Sequence, residues 1–401
     1  MISSPAPTNT IASPAHAVPD NYRPIEAEGR VRFLADACIS LRSGPGACSD
    51  CIAACPVAAI QTKDSGYAVS SACLGCGACA AACPSGAIKV KGFENLTQLP
   101  SGNTVRIECR KVHESVAGQS SLRVPCLGGI TPSQWLSLAE MAGNRRLIVV
   151  DRSWCTHCVA GSRSAPQHPA RHALDQADAV LAEIGWPEVR RPRMQQDSLP
   201  ASLMPASIPA ERPASPARRA FFRSLGHEAQ KAVGLDEAFA PPSPRLMKQQ
   251  GLPLPERERL LTTALRIAAT AGQEMPAAPF AALAVVPDCA HHGICAGLCP
   301  TGALSLYEDG DMAGLEFNAW RCIGCGHCVK SCPERAITLH GAPLAPDPQE
   351  VQRLTAHVAR TCPACHEAFH GPAAATTCPS CQRNRQMGAA LFGTQLADSK
   401  S

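Results

Sequence analysis

The sequence is poor in the features on which most enzymes and membrane proteins depend. Aromatic residues make up only 4% of its 401 residues, so a large apolar core cannot supply most of the stability. No stretch approaches the length of uncharged apolar residues that a transmembrane helix needs. A formal net charge of +4 without a basic stripe argues against nucleic acid as a partner. A G-x-G-x-x-G turn, a P-loop and a nucleophile elbow are also missing, so nothing indicates a nucleotide or substrate pocket.

Cysteine, in contrast, is abundant, with 23 in the chain. An odd count and repeated C-x2-C spacings argue against a disulfide framework and for metal binding in a reducing compartment. We therefore expect a cytoplasmic protein whose small cores are held together largely by metal.

Two stretches contain the complete array C-x2-C-x2-C-x3-C-P. The first holds Cys73, Cys76, Cys79 and Cys83-Pro84, and the second holds Cys322, Cys325, Cys328 and Cys332-Pro333. In this array three thiolates of one loop ligate one [4Fe–4S] cluster, and the cysteine ahead of the proline ligates a second cluster. The pattern predicts a protein that carries single electrons.

An incomplete array precedes each complete one. Upstream of the first stand Cys48, Cys51 and Cys55-Pro56, with Cys38 before a longer loop. Upstream of the second stand Cys289, Cys295 and Cys299-Pro300, with His292 where a cysteine is expected. The crossing rule then predicts four sites: site 1 (Cys38, Cys48, Cys51, Cys83), site 2 (Cys55, Cys73, Cys76, Cys79), site 3 (Cys289, His292, Cys295, Cys332) and site 4 (Cys299, Cys322, Cys325, Cys328). Residues 35–91 and 285–341 resemble bacterial-type two-cluster ferredoxins.

Two interpretations of His292 are open. Its imidazole could ligate iron, as histidine does in Rieske centres, where it raises the reduction potential. Alternatively it is a hydrogen-bonded side chain in a turn, as the neighbouring His291 could equally be. In that case site 3 would hold a three-iron cluster or a cubane with a non-protein ligand, so the chain has three or four [4Fe–4S] clusters.

A different domain is predicted between the first array and a linker. Thr104–Glu108, Leu122–Val124 and Leu147–Val150 are expected to be strands, and the capping sequence at Thr131 and the apolar positions around Leu174 predict helices. Strands that alternate with helices indicate a parallel α/β sheet.

Four cysteines stand at the ends of these strands, and we call them the middle site: Cys109, Cys126, Cys155 and Cys158. Ligands of open α/β sheets bind at this edge, so the four thiolates would suit a [2Fe–2S] cluster or zinc. The segment resembles the small iron–sulfur subunit of methyl-viologen-reducing hydrogenases, through Val124-Pro125-Cys126 and Glu183-Ile184-Gly185 among others. The resemblance implies a [2Fe–2S] cluster, although that family spaces its last two cysteines more widely.

The C-terminal part supplies the last four cysteines. We call them the C-terminal site: Cys362, Cys365, Cys378 and Cys381. Two C-x2-C knuckles at this separation are typical of a zinc ribbon, and a rubredoxin-like iron could use the same ligands. A helix is predicted before them, opened by Asp347 and with Val351, Leu354 and Val358 on one face.

The predicted architecture is thus a multidomain α+β protein with two ferredoxin-like dicluster modules, a small parallel α/β domain and a zinc-ribbon-like knuckle. The expected segments are a disordered N-terminus (1–29), the first module (30–98), the α/β domain (99–193), a linker (194–255), a helix (256–280), the second module (281–343), and a helix with the four-cysteine tail (344–401).

Three classes of function remain in competition. The first is an electron-transfer polyferredoxin that serves a larger oxidoreductase subunit, such as a hydrogenase, formate dehydrogenase or other molybdoenzyme, and is not itself catalytic. The second is a catalytic iron–sulfur subunit with an open site near His292, and the third is a maturation or redox-sensing protein.

Overall fold

The computed structural model of the protein describes residues 23–24, 31–43, 48–63, 66–94, 96–112, 116–118, 120–155, 158–161, 168–199, 252–273, 280–341 and 347–392. Helices and strands are mixed throughout these residues. None of the helices among them is both long and apolar enough to cross a membrane.

The first module is built on a small antiparallel sheet. Its strands are β1 (Arg23–Pro24), β2 (Val31–Phe33) and β5 (Ile88–Val90), in that order. Between β2 and β5 come α1 (Ile39–Ser43), α2 (Asp50–Ala53), the antiparallel hairpin of β3 (Ile60–Lys63) and β4 (Gly66–Val69), and α3 (Ala78–Ala82). The prediction that residues 1–29 are disordered is wrong for Arg23 and Pro24, because their backbone completes the edge of the sheet beside β2.

The α/β domain contains a four-stranded parallel sheet in the order β7-β6-β8-β9. The strands are β6 (Thr104–Cys109), β7 (Ser121–Val124), β8 (Arg146–Asp151) and β9 (Arg193–Gln196), with helices α4 (Pro132–Ala142) and α5 (Arg171–Glu183). The predicted domain boundary at residue 193 falls on β9 and is wrong. Because β9 is a mostly exposed edge strand, it lacks the apolar alternation that marks strands in a sequence.

Helix α4 shows why its segment folds as predicted. The Thr131 hydroxyl accepts a hydrogen bond from the Gln134 backbone N–H, and the Gln134 side chain accepts one from the Thr131 N–H. This capping box fixes the start of the helix. Trp135, Leu136 and Leu138 are fully buried, in a core that continues into the first module through residues such as Val31, Phe33 and Val90. The two domains therefore share one core.

The second module repeats the plan of the first. Its outer strands β10 (Ala281–Val285) and β13 (Ile337–Gly341) pair antiparallel, as do its inner strands β11 (Leu304–Asp309) and β12 (Met312–Phe317). Short helices α7 (Ile294–Gly297) and α8 (His327–Ser331) follow the two cysteine loops. Most of its core is a separate and smaller cluster of buried residues.

The segment before the C-terminal site is not the helix that was predicted. It forms β14 (Gln352–Arg353) and β15 (His357–Thr361), which both pair with β12, and β15 also pairs with β16 (Ala368–His370). Val351 and Val358 are 46% and 55% exposed, so the predicted apolar face is not buried. The Asp347 carboxylate accepts a hydrogen bond from the Gln349 N–H and so forms a turn instead of a helix start. The chain that follows pairs with β12, and this pairing provides hydrogen-bond partners for the backbone at the edge of that strand. A helix, α9 (Pro379–Phe392), begins instead at the second knuckle.

Helix α6 (Pro255–Ala271) packs against α4 and also contacts the second module. It is shorter than the predicted helix 256–280, because Gly272 adopts a left-handed conformation (φ 65°) and ends it. The last residues of the predicted linker 194–255 are packed against the protein, since Leu252 and Leu254 are buried. Residues 200–251 of that linker lie outside the described residues.

Candidate metal centres

Three cavities of similar size each have four cysteines in their walls. Their volumes are about 320 Å³ at site 1, 380 Å³ at site 2 and 350 Å³ at site 4. In each cavity, three cysteines come from one array, and the fourth is the cysteine before a proline in the other array: Cys83 at site 1, Cys55 at site 2 and Cys299 at site 4. The structure thus brings together the crossed sets that the spacing predicts.

The thiols of these cavities are in surroundings that disfavour isolated negative charge. Burial raises the pKa of Cys48 to about 11, with Asp50 and Cys83 adding to the shift, and raises the pKa of Cys51 to about 12, with the other three thiols of site 1 adding to it. At site 4, burial and the thiols of the same set likewise raise the pKa of Cys328 to about 11. Several thiolates are stable in such a cavity only if cations lie among them. The donor set therefore fits an iron–sulfur cluster.

Backbone N–H groups point at three of the crossing cysteines. The pairs are Ala59 with Cys55 at 3.1 Å, Leu304 with Cys299 at 3.4 Å, and Ala336 with Cys332 at 3.2 Å, measured from N to Sγ. Hydrogen bonds of this kind to the ligating sulfur atoms influence the potential of a bound cluster.

Site 3 gathers its three cysteines but differs in the fourth position. Cys289 and Cys295 are buried, and burial is the main cause of their raised pKa, to which Cys332 adds. The Nδ1 atom of His292 lies 3.3 Å from Oε2 of Glu334. A carboxylate on one ring nitrogen is the usual partner of a histidine that ligates metal through the other.

Glu334 is a site residue that the sequence analysis missed. It stands two residues after the crossing Cys332, and its Oε2 lies 3.9 Å from the Cys332 Sγ. The equivalent residues at sites 1 and 4 are hydroxyls, with Ser85 Oγ 3.5 Å from Cys83 Sγ and Thr301 Oγ1 3.8 Å from Cys299 Sγ. The second position after the crossing cysteine is therefore the signal that could have identified it.

The middle site brings Cys109, Cys126, Cys155 and Cys158 to the carboxyl ends of the parallel strands. Burial raises the pKa of Cys155 to about 12, with Asp151, Cys109 and Cys158 adding to the shift. The backbone N–H of Lys111 donates to Cys109 Sγ at 3.4 Å, and its Nζ lies 3.8 Å from Cys158 Sγ. Lys111 thus contacts two of the four thiols, Cys109 through its backbone N–H and Cys158 through its ammonium group.

His168 is a second residue that the sequence analysis missed. Its Nδ1 accepts a hydrogen bond from the Ala170 backbone N–H at 3.2 Å, so the proton of the neutral ring is on Nε2. Nε2 lies 3.5 Å from Cys155 Sγ and can donate to that thiolate. Burial lowers the pKa of His168, which favours this neutral, donating form. Nothing in the spacing of the sequence indicates His168, because the contact depends on tertiary structure.

The C-terminal site has the dimensions of a single-ion site. The sulfur atoms of Cys362, Cys365, Cys378 and Cys381 all lie within 4.8 Å of one another, and Cys365 and Cys378 are 3.8 Å apart. Among the described residues the cysteines of the middle site do not form such a group, although Cys155 does so with Asp151 and His168. The N–H of Cys378, with those of Ala364 and Cys365, lowers the pKa of Cys362 to about 6. This thiol is therefore prepared to bind metal as thiolate.

Comparison with known proteins finds the same pattern twice. The 4Fe-4S dicluster domain family matches residues 46–88 and residues 288–337. The two matched stretches contain both complete arrays and the cysteines before each, except Cys38.

Curated relatives are similar over a limited part of their length. Protein NrfC of Escherichia coli (strain K12) is 34% identical over 83 residues, 20% of this chain and 36% of NrfC. Electron transport protein HydN of the same strain is 32% identical over 88 residues, 21% of this chain and 48% of HydN. A probable iron–sulfur subunit of the Frd operon of Proteus vulgaris is 30% identical over 88 residues, 21% of this chain and 54% of the Proteus protein. The chain thus spans about half of these relatives or less.

Proposed function

We propose that this chain is an electron-transfer polyferredoxin that relays single electrons to or from a larger oxidoreductase subunit. The observation that carries the proposal is the crossed grouping of cysteines around three cavities of similar size, because only a dicluster arrangement requires it. The two dicluster matches support it, as do relatives named an electron transport protein and a probable iron–sulfur subunit.

The ligands proposed for the [4Fe–4S] clusters are those of sites 1 to 4. At site 3, His292 would be the fourth ligand, through Nε2. The contact of its Nδ1 with Glu334 supports this assignment, because a second partner fixes the ring and leaves the other nitrogen for metal. When bound, the clusters supply one-electron redox chemistry, and the chain supplies thiolates, N–H···S bonds and apolar walls.

The middle site and the C-terminal site would hold different metals. The sulfur atoms of the C-terminal site are close enough to surround one ion, which supports zinc in a closed structural site. The middle site lacks that mutual proximity, so its four thiols suit a group of more than one metal atom. A [2Fe–2S] cluster is the proposed occupant.

The proposed partners are a protein electron donor and a protein acceptor. The odd number of cysteines and their repeated C-x2-C spacing argue against disulfides and for a reducing compartment, which supports the cytoplasm as the proposed location.

An anaerobic coulometric titration of the full chain tests the function. Five clusters should take up about five electrons per chain, one each, and return them to an oxidised viologen dye. Purification under the same conditions should also retain a larger oxidoreductase subunit. A chain that binds iron but exchanges no electrons reversibly would contradict the proposal.

A further inference from the structure

Site 2 and the middle site belong to different domains but meet at two glycines. Gly77 follows Cys76 of site 2, and Gly129 lies in the turn after Cys126 of the middle site. A Cβ atom on Gly129 would collide with the Cys76 carbonyl oxygen, and one on Gly77 would lie 2.8 Å from the Gly129 Cα, far closer than ordinary non-bonded contacts. The absence of side chains at both positions is therefore what permits this approach.

The surroundings hold the two loops together. Phe93 is buried against both glycines, and its carbonyl oxygen accepts a hydrogen bond from the Gln134 side chain at 3.0 Å. Phe93 thus holds the loop of site 2 against the loop of the middle site.

A second contact joins the two dicluster modules. Ile39, Leu252 and Leu254 form a small buried cluster, against which Cys48 and Ile323 pack. Ile39 follows Cys38 of site 1, and Ile323 follows Cys322 of site 4. The Arg321 guanidinium donates to the Leu252 carbonyl oxygen at 3.2 Å and fixes this segment on the second module. Sites 1 and 4 therefore lie on opposite sides of one apolar contact.

Within each module, a short helix connects the two cluster sites, site 1 with site 2 and site 3 with site 4. Cys51 of site 1 lies in α2, and Cys55 of site 2 comes two residues after the end of that helix. In the second module, Cys295 of site 3 lies in α7, and Cys299 of site 4 comes two residues after the end of that helix.

We propose that these contacts join five redox sites into one series, in the order middle site, site 2, site 1, site 4, site 3. Electrons would cross between domains at Gly77–Gly129 and at the Ile39–Leu252–Leu254 cluster. Each passage moves one electron from a reduced site to an oxidised neighbour, and no bond is made or broken. The donor and acceptor proteins would then meet the chain at opposite ends of the series. This inference rests on the proposed function.

The test is the magnetic interaction between neighbouring sites in the fully reduced full-length protein, measured by EPR. In the unaltered chain the middle site should broaden the signal of site 2. Gly129→Ala should reduce this broadening, because the added methyl must displace the Cys76 carbonyl or Phe93. Gly118→Ala is the matched control, since its Cβ would meet nothing closer than 3.8 Å. Cys158→Ala should abolish the broadening by removing the middle site, even if Gly129→Ala does not fold.

Leu254→Ala should weaken the interaction between sites 1 and 4.

Iron analysis of the unaltered chain and of each variant distinguishes a failure of the proposed function from a failure of the proposed order of sites. If iron is absent from the middle site or from a module, the proposed function fails there, and the series fails with it. If all sites are loaded in the unaltered chain but the loss of the middle site in Cys158→Ala leaves the site 2 signal unchanged, the order is overturned while the electron-transfer function stands. An unchanged interaction between sites 1 and 4 in Leu254→Ala would overturn the second junction.

Discussion

The two dicluster modules have the same strand plan and the same cysteine arrays, but they are stabilised differently. The first module shares a continuous core with the α/β domain, including Trp135 and Leu261 of the packed helices. Most of the second module's core is a small separate cluster, and large apolar side chains such as Leu298 (52% exposed) and Leu306 (48% exposed) remain on its surface. Modules with the same cysteine pattern can therefore differ in their main source of stability. Apolar packing would stabilise the first module, and bound metal the second.

Removal of iron should therefore affect the modules unequally. Anaerobic chelation should expose the backbone amides of β10 to β13 to hydrogen exchange, because little apolar burial remains to hold them. The amides of β2 and β5 in the first module should stay protected by the core shared with α4. Hydrogen exchange with mass spectrometry measures both in one sample. Equal loss of protection in the two halves would show that the shared core does not support the first module.

Substitution of a crossing cysteine should remove one cluster and spare its neighbour. Cys83→Ala should empty site 1, a loss of about four iron atoms, and leave the cluster of Cys73, Cys76 and Cys79 intact. Cys332→Ala should do the same to site 3 and spare site 4. Mössbauer and EPR spectra of the two variants resolve which cluster is lost. Loss of site 2 in Cys83→Ala would refute the crossed assignment.

Helix α6 joins the two halves through adjacent buried charges of opposite sign. Glu256 accepts a hydrogen bond from the Ser133 N–H at 3.1 Å, at the start of α4. Arg257 donates to the carbonyl oxygens of Ala319 at 3.1 Å and Trp320 at 3.3 Å in the second module. Glu256 therefore faces the first half and Arg257 faces the second.

Each substitution at this helix should cost about 1–3 kcal/mol in the free energy of unfolding, because a buried partner is left without its hydrogen bond. Glu256→Ala should loosen the attachment to α4, and Arg257→Ala the attachment to Ala319 and Trp320. Glu258→Ala, on the exposed side of the same turn, should change stability by no more than about 0.5 kcal/mol. Denaturant unfolding under anaerobic conditions measures all three. A comparable loss in Glu258→Ala would show that the negative charge of the first turn at the helix N-terminus, and not the buried contacts, is responsible.

The smallest expected effect concerns the fourth ligand of site 3. If His292 ligates iron, a neutral imidazole replaces an anionic thiolate, and site 3 should have the highest potential of the four cubanes. His292→Cys should lower that potential, and His292→Ala should give a three-iron or solvent-ligated cluster. His291→Gln is the neighbouring control and should leave the site 3 signal in place. Identical EPR redox titrations of the unaltered chain and both His292 variants would show that His292 is an ordinary turn residue.

Local signals in the sequence were sufficient for much of this architecture. The Thr131 capping box and the buried faces of α4 and α5 depend on neighbouring residues, and the array spacing reflects the geometry of a cluster. The predicted helix around Leu354 failed because weak helix signals compete poorly with the unpaired edge of β12. Glu334 is marked in the sequence by its place two residues after the crossing Cys332, but His168 reaches the middle site only through the fold, so no spacing rule identifies it. The same holds for Glu256, Arg257 and the glycine contact between domains.

The central claim is that the cysteines divide into five iron–sulfur sites and one zinc site, and metal analysis of anaerobically purified full-length protein tests it most directly. We expect about 18 iron atoms and one zinc per chain, or about 17 iron atoms if site 3 holds a three-iron cluster. About eight iron atoms would mean that one whole half of the chain has been misassigned. Two zinc atoms without the absorption of a [2Fe–2S] cluster would contradict the redox role given to the middle site.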